Sequence, residues 1–175
     1  FRIHQERWMD TLTKLKELGC NTVSTSIPWN LHEPHEGSFD FGGNLDIDTF
    51  INSADMLGLN VILRPGPYSS AEIDAGGIPH WVIKKCRGSI RCSHITYFNA
   101  VEKYLTELFK TLNQYTYDNG GPVIMAQIEN EYGVYGNDQK YMDRLYSLFK
   151  DYLGEIVLTT ADQARPHTLV NGSTG

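Results

Sequence analysis

The segment Gln127-Ile128-Glu129-Asn130-Glu131-Tyr132-Gly133 sets an amide and two carboxyl groups two residues apart. Side chains alternate along a strand, so Gln127, Glu129 and Glu131 would share one side until the strand ends. Packing does not explain three inward polar groups at such a place, because a buried carboxylate costs several kcal/mol unless it is paired or neutralised. A carboxyl group that burial keeps protonated near neutral pH is what general acid catalysis requires. The plain alternative is a set of solvated loop carboxylates.

These groups need a frame. Trp8, Leu12, Leu15 and Leu18 recur at helical spacing, with Gly19 placed for a left-handed cap. Residues 21–27 follow, rich in β-branched side chains and stopped by Pro28. The same joint recurs: Ile47, Phe50, Ala54 and Leu57 form a stripe, Gly58 caps it, and residues 60–64 read as a strand stopped by Pro65. A third helix runs through Phe98, Val101, Leu105, Leu108 and Leu112 into a strand at 123–128. A fourth runs through Tyr141, Leu145, Leu148 and Tyr152 into a strand at 156–160.

Strands apolar on both faces and joined by helices predict an α/β parallel sheet with right-handed crossovers. A (β/α)8 barrel and an open doubly wound sheet both fit. A nucleotide-binding doubly wound sheet would want a glycine-rich phosphate loop, and Gly76-Gly77 and Gly120-Gly121 lack its spacing. A full barrel takes about 250 residues, so the chain accounts for roughly half of one.

In a barrel the side chains that follow the strands gather on one rim. Here they are Trp29, Asn30 and Glu33, then Arg64, Tyr68 and Glu72, then Glu129, Asn130 and Glu131, then Thr160 and Asp162. Such a set suits a sugar: hydroxyls take paired polar partners, C–H faces stack on rings, and glycosidic cleavage uses two carboxyl groups. Trp29 and Trp81 read either as sugar platforms or as core residues. His32 and His35, with Glu33 and Glu36 between and after them, could suggest a metal site, but Pro34 forbids the helical presentation of a metal-binding pair, and a loop or structural role is the reading favoured. No Ser/His/Asp or Cys/His constellation places a base beside a nucleophile.

With 21 acidic against 15 basic residues the net charge is -6, which offers no basic face to nucleic acid. No apolar run reaches the roughly 18 residues that span a bilayer. Phe1 is neither an initiator methionine nor part of a signal peptide, and it reads as the interior of a longer chain. Cys86 and Cys92 are the favoured disulfide pair in an oxidising compartment, and buried free thiols are the alternative. Asn171-Gly172-Ser173 fits the N-glycosylation pattern, which matters in a secreted protein.

The run from Gly120 to Tyr132, containing Gln127-Ile128-Glu129-Asn130-Glu131, closely resembles the active-site motif of glycoside hydrolase family 35, the lysosomal-type acid β-galactosidases. Pro28-Trp29-Asn30-Leu31-His32-Glu33-Pro34 and Leu63-Arg64-Pro65-Gly66-Pro67-Tyr68 resemble two further segments of that family. The resemblance implies a partial (β/α)8 TIM barrel, roughly strands 2 to 5 with their helices, with residues 1–175 as a single incomplete catalytic domain. It implies hydrolysis of terminal β-D-galactose with retained configuration, with Glu131 as proton donor and later as base. Asn130 would bond the hydroxyl beside the reacting carbon, and the Ala71 backbone and Glu72 would hold galactose hydroxyls. Arg64 would then either partner buried carboxylates or support the nucleophile. That nucleophile, a glutamate closing the seventh strand, would fall after residue 175, so the chain alone is expected to be inactive.

Two positions depart from the family pattern: Ser26 stands where a sugar-contacting tyrosine is usual, and Ser70 where a cysteine is frequent. The resemblance implies no cofactor or metal, a β-galactoside as partner, and a lysosomal or secreted location. Another barrel glycosidase and a non-catalytic galactoside-binding homologue are the alternative readings. The sequence does not fix the oligomeric state.

Overall fold

The protein, seen in a computed structural model, is described over residues 2–174. Phe1 lies outside the described residues, and Arg2 and Ile3 are not in a strand. In chain order the elements are α1 (Trp8–Glu17), β1 (Thr22–Ser26), α2 (Trp29–His32), α3 (Ile47–Met56), β2 (Asn60–Gly66), α4 (His80–Cys86), α5 (Ile95–Leu112), β3 (Val123–Ile128), α6 (Tyr132–Tyr135), α7 (Gln139–Leu153), β4 (Val157–Thr159) and α8 (Pro166–Gly172). The strands form one parallel sheet in the order β1-β2-β3-β4.

The joint after α1 and the joint after α3 are built alike. Gly19 (φ 90°) and Gly58 (φ 63°) take the left-handed cap conformation. The next residue then donates its N–H five residues back, Cys20 to Leu15 and Leu59 to Ala54. Each cap turns the chain from a helix directly into a strand. Leu18, read as part of the apolar stripe, is instead 80% exposed, because it is the residue at which α1 opens toward its cap.

The strands are not buried equally on both faces, contrary to the sequence reading. On the helix-facing side, Thr25, Leu63, Ala126 and Leu158 are neighbours in register, and Leu63 and Ala126 are fully buried. Val61, Val101, Leu105, Leu108, Phe109, Leu145 and Phe149 join them in one core. The opposite face carries two rows. One is Ser24, Ile62, Met125 and Val157, and the other, nearer the strand ends, is Ser26, Arg64, Gln127 and Thr159. Ser24 and Val157 at the two edges are exposed and the others half-buried, because no layer of the described residues covers them. β2 also runs through Pro65 to Gly66, past the stop read from sequence. The short helices α2, α4, α6 and α8, which periodicity does not reveal, shape the loops around the strand ends.

Candidate functional site

β3 ends at Ile128, and two of the next three residues take left-handed backbone, Glu129 (φ 58°) and Glu131 (φ 51°). This breaks the period-two alternation, so Glu129 and Glu131 part company. Glu129 turns into the protein, where its side chain is 1% exposed against 5% for Arg91. Arg91 grips it with both Nε (3.2 Å) and Nη2 (2.8 Å), and the Tyr141 hydroxyl donates to it at 2.6 Å. The Asn130 N–H donates to the same carboxylate at 3.0 Å, and Arg91 Nη2 donates to the Asn130 carbonyl at 2.8 Å. The guanidinium lies 3.8 Å from the Tyr68 ring centre and 4.2 Å from that of Tyr135. Burial disfavours its charge, but the Glu129 carboxylate more than offsets this and holds Arg91 above its ordinary value. Burial, reinforced by the Glu129 charge, lifts Tyr141 well above the usual phenol range, so it remains a donor. Glu129 is thus a satisfied structural carboxylate rather than a rim group.

Asn130 is buried, and its side-chain oxygen accepts from Arg64 Nη2 at 2.9 Å and from Gln127 Nε2 at 3.1 Å. Arg64 therefore partners an amide, not a carboxylate. Arg64 Nε and Asn30 Oδ1 are buried without a hydrogen-bond partner, leaving a donor and an acceptor unused near the strand ends.

Glu131 is exposed, which corrects the expectation of a shielded carboxyl group. Its N–H is anchored to the Ala161 carbonyl at 2.7 Å. Burial raises the Asp162 carboxyl, a hydrogen bond from the Gly133 N–H opposes the rise, and the charge of Glu131 adds to it. Glu131 and Asp162 therefore share one electrostatic neighbourhood.

A cavity of about 400 Å³ is lined by Ser26, Arg64, Ala71 and Glu72, with Trp8 and Phe50 on its apolar wall. Ser70, Ala71 and Glu72 all have left-handed backbone, forming the tight turn that presents them. Arg2 donates to the Ala71 carbonyl and lies 3.4 Å from the Glu72 carboxylate, whose side chain is 86% exposed. The structure thus brings Ala71, Glu72, Arg64 and Ser26 to one cavity and links Asn130 to it through Arg64. Glu131 follows Asn130 but does not line that cavity.

Several other rim candidates are structural. Glu33 is fully buried, accepting from Trp29 Nε1 at 2.7 Å and from the Gly37 N–H at 2.8 Å. Trp29 stacks on Tyr104 at 4.9 Å inside the core, and half-buried Trp81 packs edge-on against Trp29. His32 is buried against Phe41, its Nδ1 2.9 Å from the Asp40 carbonyl, and burial lowers its pKa. Cys20, Cys86 and Cys92 are all free thiols, which is the free-thiol alternative of the two readings for Cys86 and Cys92, although only Cys86 is buried. Burial pushes the Cys86 thiol up. Asn171 is half-buried in the last turn of α8, next to buried Gly172.

Arg91 is the residue that sequence reading missed. It lies on the loop between α4 and α5, where no periodic pattern assigns a direction.

A parallel sheet with helices on one side and polar groups at the strand ends is a partial (β/α)8 barrel. Residues 1–175 match the family model for Glycosyl hydrolases family 35, and the chain belongs to that family. It is 45% identical over 161 residues to Beta-galactosidase-1-like protein 3 of Homo sapiens, covering 91% of this chain and 25% of that protein. It is 43% identical over 175 residues to Beta-galactosidase of Felis catus, covering 99% of this chain and 26% of that protein. The chain therefore spans about a quarter of the length of these relatives. Among solved structures, it resembles a GH5_18 protein from Streptomyces cattleya, solved in complex with GlcNAc, with TM-score 0.74 and 13% identity. The match covers 94% of this chain and 42% of that one, and speaks for the fold.

Proposed function

We propose that the protein carrying this chain hydrolyses terminal β-D-galactosides, with Glu131 as general acid and then general base. The observation that carries this reading is the Asn130-Glu131 pair just after the end of β3, with the Asn130 side chain held by Arg64 and Gln127 and with Glu131 exposed. Placement at the C-terminal end of a barrel strand is where catalytic groups of this fold stand. Membership of glycosyl hydrolase family 35 supports galactoside hydrolysis as the reaction class.

On this reading Glu131 protonates the glycosidic oxygen while a second carboxylate attacks the anomeric carbon. Water, activated by Glu131, then releases the sugar with retained configuration. We assign the nucleophile to none of the described carboxylates. Glu33 and Glu129 are fixed by internal hydrogen bonds, and Glu72 lies against Arg2. By the family resemblance the nucleophile belongs to a later strand. Asn130 would bond the hydroxyl next to the reacting carbon, and the Ala71 backbone and Glu72 would hold other hydroxyls, which requires Arg2 to yield them. Ser26 leaves room beside Arg64 where a larger side chain would reach the sugar. A lysosomal or secreted location fits the same reading.

A panel of nitrophenyl glycosides on the intact protein tests it, with the anomer released from the galactoside followed by NMR. Cleavage of the β-galactoside with β-galactose released first is expected. Preference for another sugar, or release of the inverted anomer, would overturn it, and absence of turnover would favour a galactoside-binding role.

A further inference from the structure

Resting on the assignment of Glu131, we infer that Arg91 is a positioning residue for the acid, acting through the peptide groups of Asn130. The Asn130 N–H is bound by the Glu129 carboxylate at 3.0 Å and its carbonyl by Arg91 Nη2 at 2.8 Å, so one ion pair pins both sides of the residue that precedes Glu131. The Tyr141 hydroxyl at 2.6 Å fixes the carboxylate from behind. The Tyr68 and Tyr135 rings, at 3.8 Å and 4.2 Å, fix the plane of the guanidinium. Left-handed backbone at two non-glycine residues in three does not persist unless its surroundings impose it, and the pair supplies that constraint. Because Glu131 itself is exposed, its direction depends on this turn rather than on side-chain packing. Only a planar fork meets Glu129 through Nε and Nη2 while reaching the Asn130 carbonyl with the same Nη2. Lysine keeps the charge and loses that geometry.

The test is kcat/KM of Arg91→Lys in the intact protein, on a galactoside with a poor leaving group and on dinitrophenyl β-galactoside, which needs little protonation. A displacement of about 1 Å can cost on the order of 100-fold. A loss of roughly 10- to 100-fold on the poor leaving group and under about threefold on the good one is therefore expected. Equal losses on both would mean that Arg91 serves folding alone, and no loss on either would also overturn the inference. Should Arg91→Lys not fold, Tyr141→Phe weakens the same pair without removing a charge, and the same selective loss, smaller in size, is expected. Glu131→Gln is measured alongside. If it shows selective loss and the Arg91 and Tyr141 variants do not, the positioning role fails alone. If Glu131→Gln itself loses both substrates equally, the assignment of the acid fails and takes this inference with it.

Discussion

Glu129 and Glu131 lie two residues apart and should respond oppositely to the same isosteric change. Glu129→Gln keeps the side-chain shape but removes the charge that compensates Arg91. The wild-type carboxylate accepts from Arg91 Nε, Arg91 Nη2, the Tyr141 hydroxyl and the Asn130 N–H. A glutamine has one oxygen to offer these donors, and its NH2 must face one of them. Breaking one side of a buried ion pair costs about 3–5 kcal/mol, and this pair has side-chain exposures of 1% and 5%. Glu131 is exposed and its carboxylate accepts no hydrogen bond among the described residues, so Glu131→Gln should stay within about 0.5 kcal/mol of wild type. Urea unfolding measures both, and a shifted midpoint at constant m isolates stability. A Glu129→Gln protein within about 1 kcal/mol of wild type, or a Glu131→Gln protein equally destabilised, would refute this division of labour.

Replacing both partners, Arg91→Met with Glu129→Leu, should destabilise less than either single change, since no buried charge is stranded; greater-than-additive loss in a double-mutant cycle would contradict this. Burial depresses His32 below its ordinary 6.5, so the folded state resists a proton that the unfolded chain accepts. Its contribution is present above pH 6.5 and is lost as the pH falls through the depressed folded value. His32→Gln should flatten the pH dependence of unfolding there by up to about 1.4 kcal/mol per pH unit, and an unchanged slope would count against it. A methyl group at Gly133 would overlap the Thr168 carbonyl, so Gly133→Ala should force α6 from α8 and raise amide exchange in residues 166–172, and native protection would refute that contact. Leu63→Ala, at a fully buried position, should cost about 2–5 kcal/mol by urea unfolding, and a smaller loss would show a site able to collapse.

The frame was legible because helix stripes and strand runs have different periods, and because Leu18-Gly19-Cys20-Asn21 and Leu57-Gly58-Leu59-Asn60 announce the same turn twice. β1 and β2 fall where those joints direct them, and β3 and β4 fall within the runs read at 123–128 and 156–160. The site was legible in part. Alternation correctly kept Gln127 on the open face, but it could not foresee left-handed backbone at Glu129 and Glu131, since neither is glycine. The partner of Glu129 at that turn, Arg91, lies 38 residues earlier in a loop without periodic signal. The fate of Glu33 was hidden for a different reason. Its partners Trp29 and Gly37 are close in sequence, yet only the fold of the loop turns its carboxylate inward. The expected shielding of Glu131 rested on that alternation, and past the left-handed residues Glu131 is exposed.

The most direct test of the account is the dependence of kcat/KM on leaving-group basicity across a series of aryl β-galactosides, for the wild-type protein and for Glu131→Gln. A protein that donates a proton from Glu131 should show a shallow dependence, and Glu131→Gln should make it steep, with little loss on the least basic leaving group. Parallel lines for the two proteins would contradict the assignment of Glu131 as the acid.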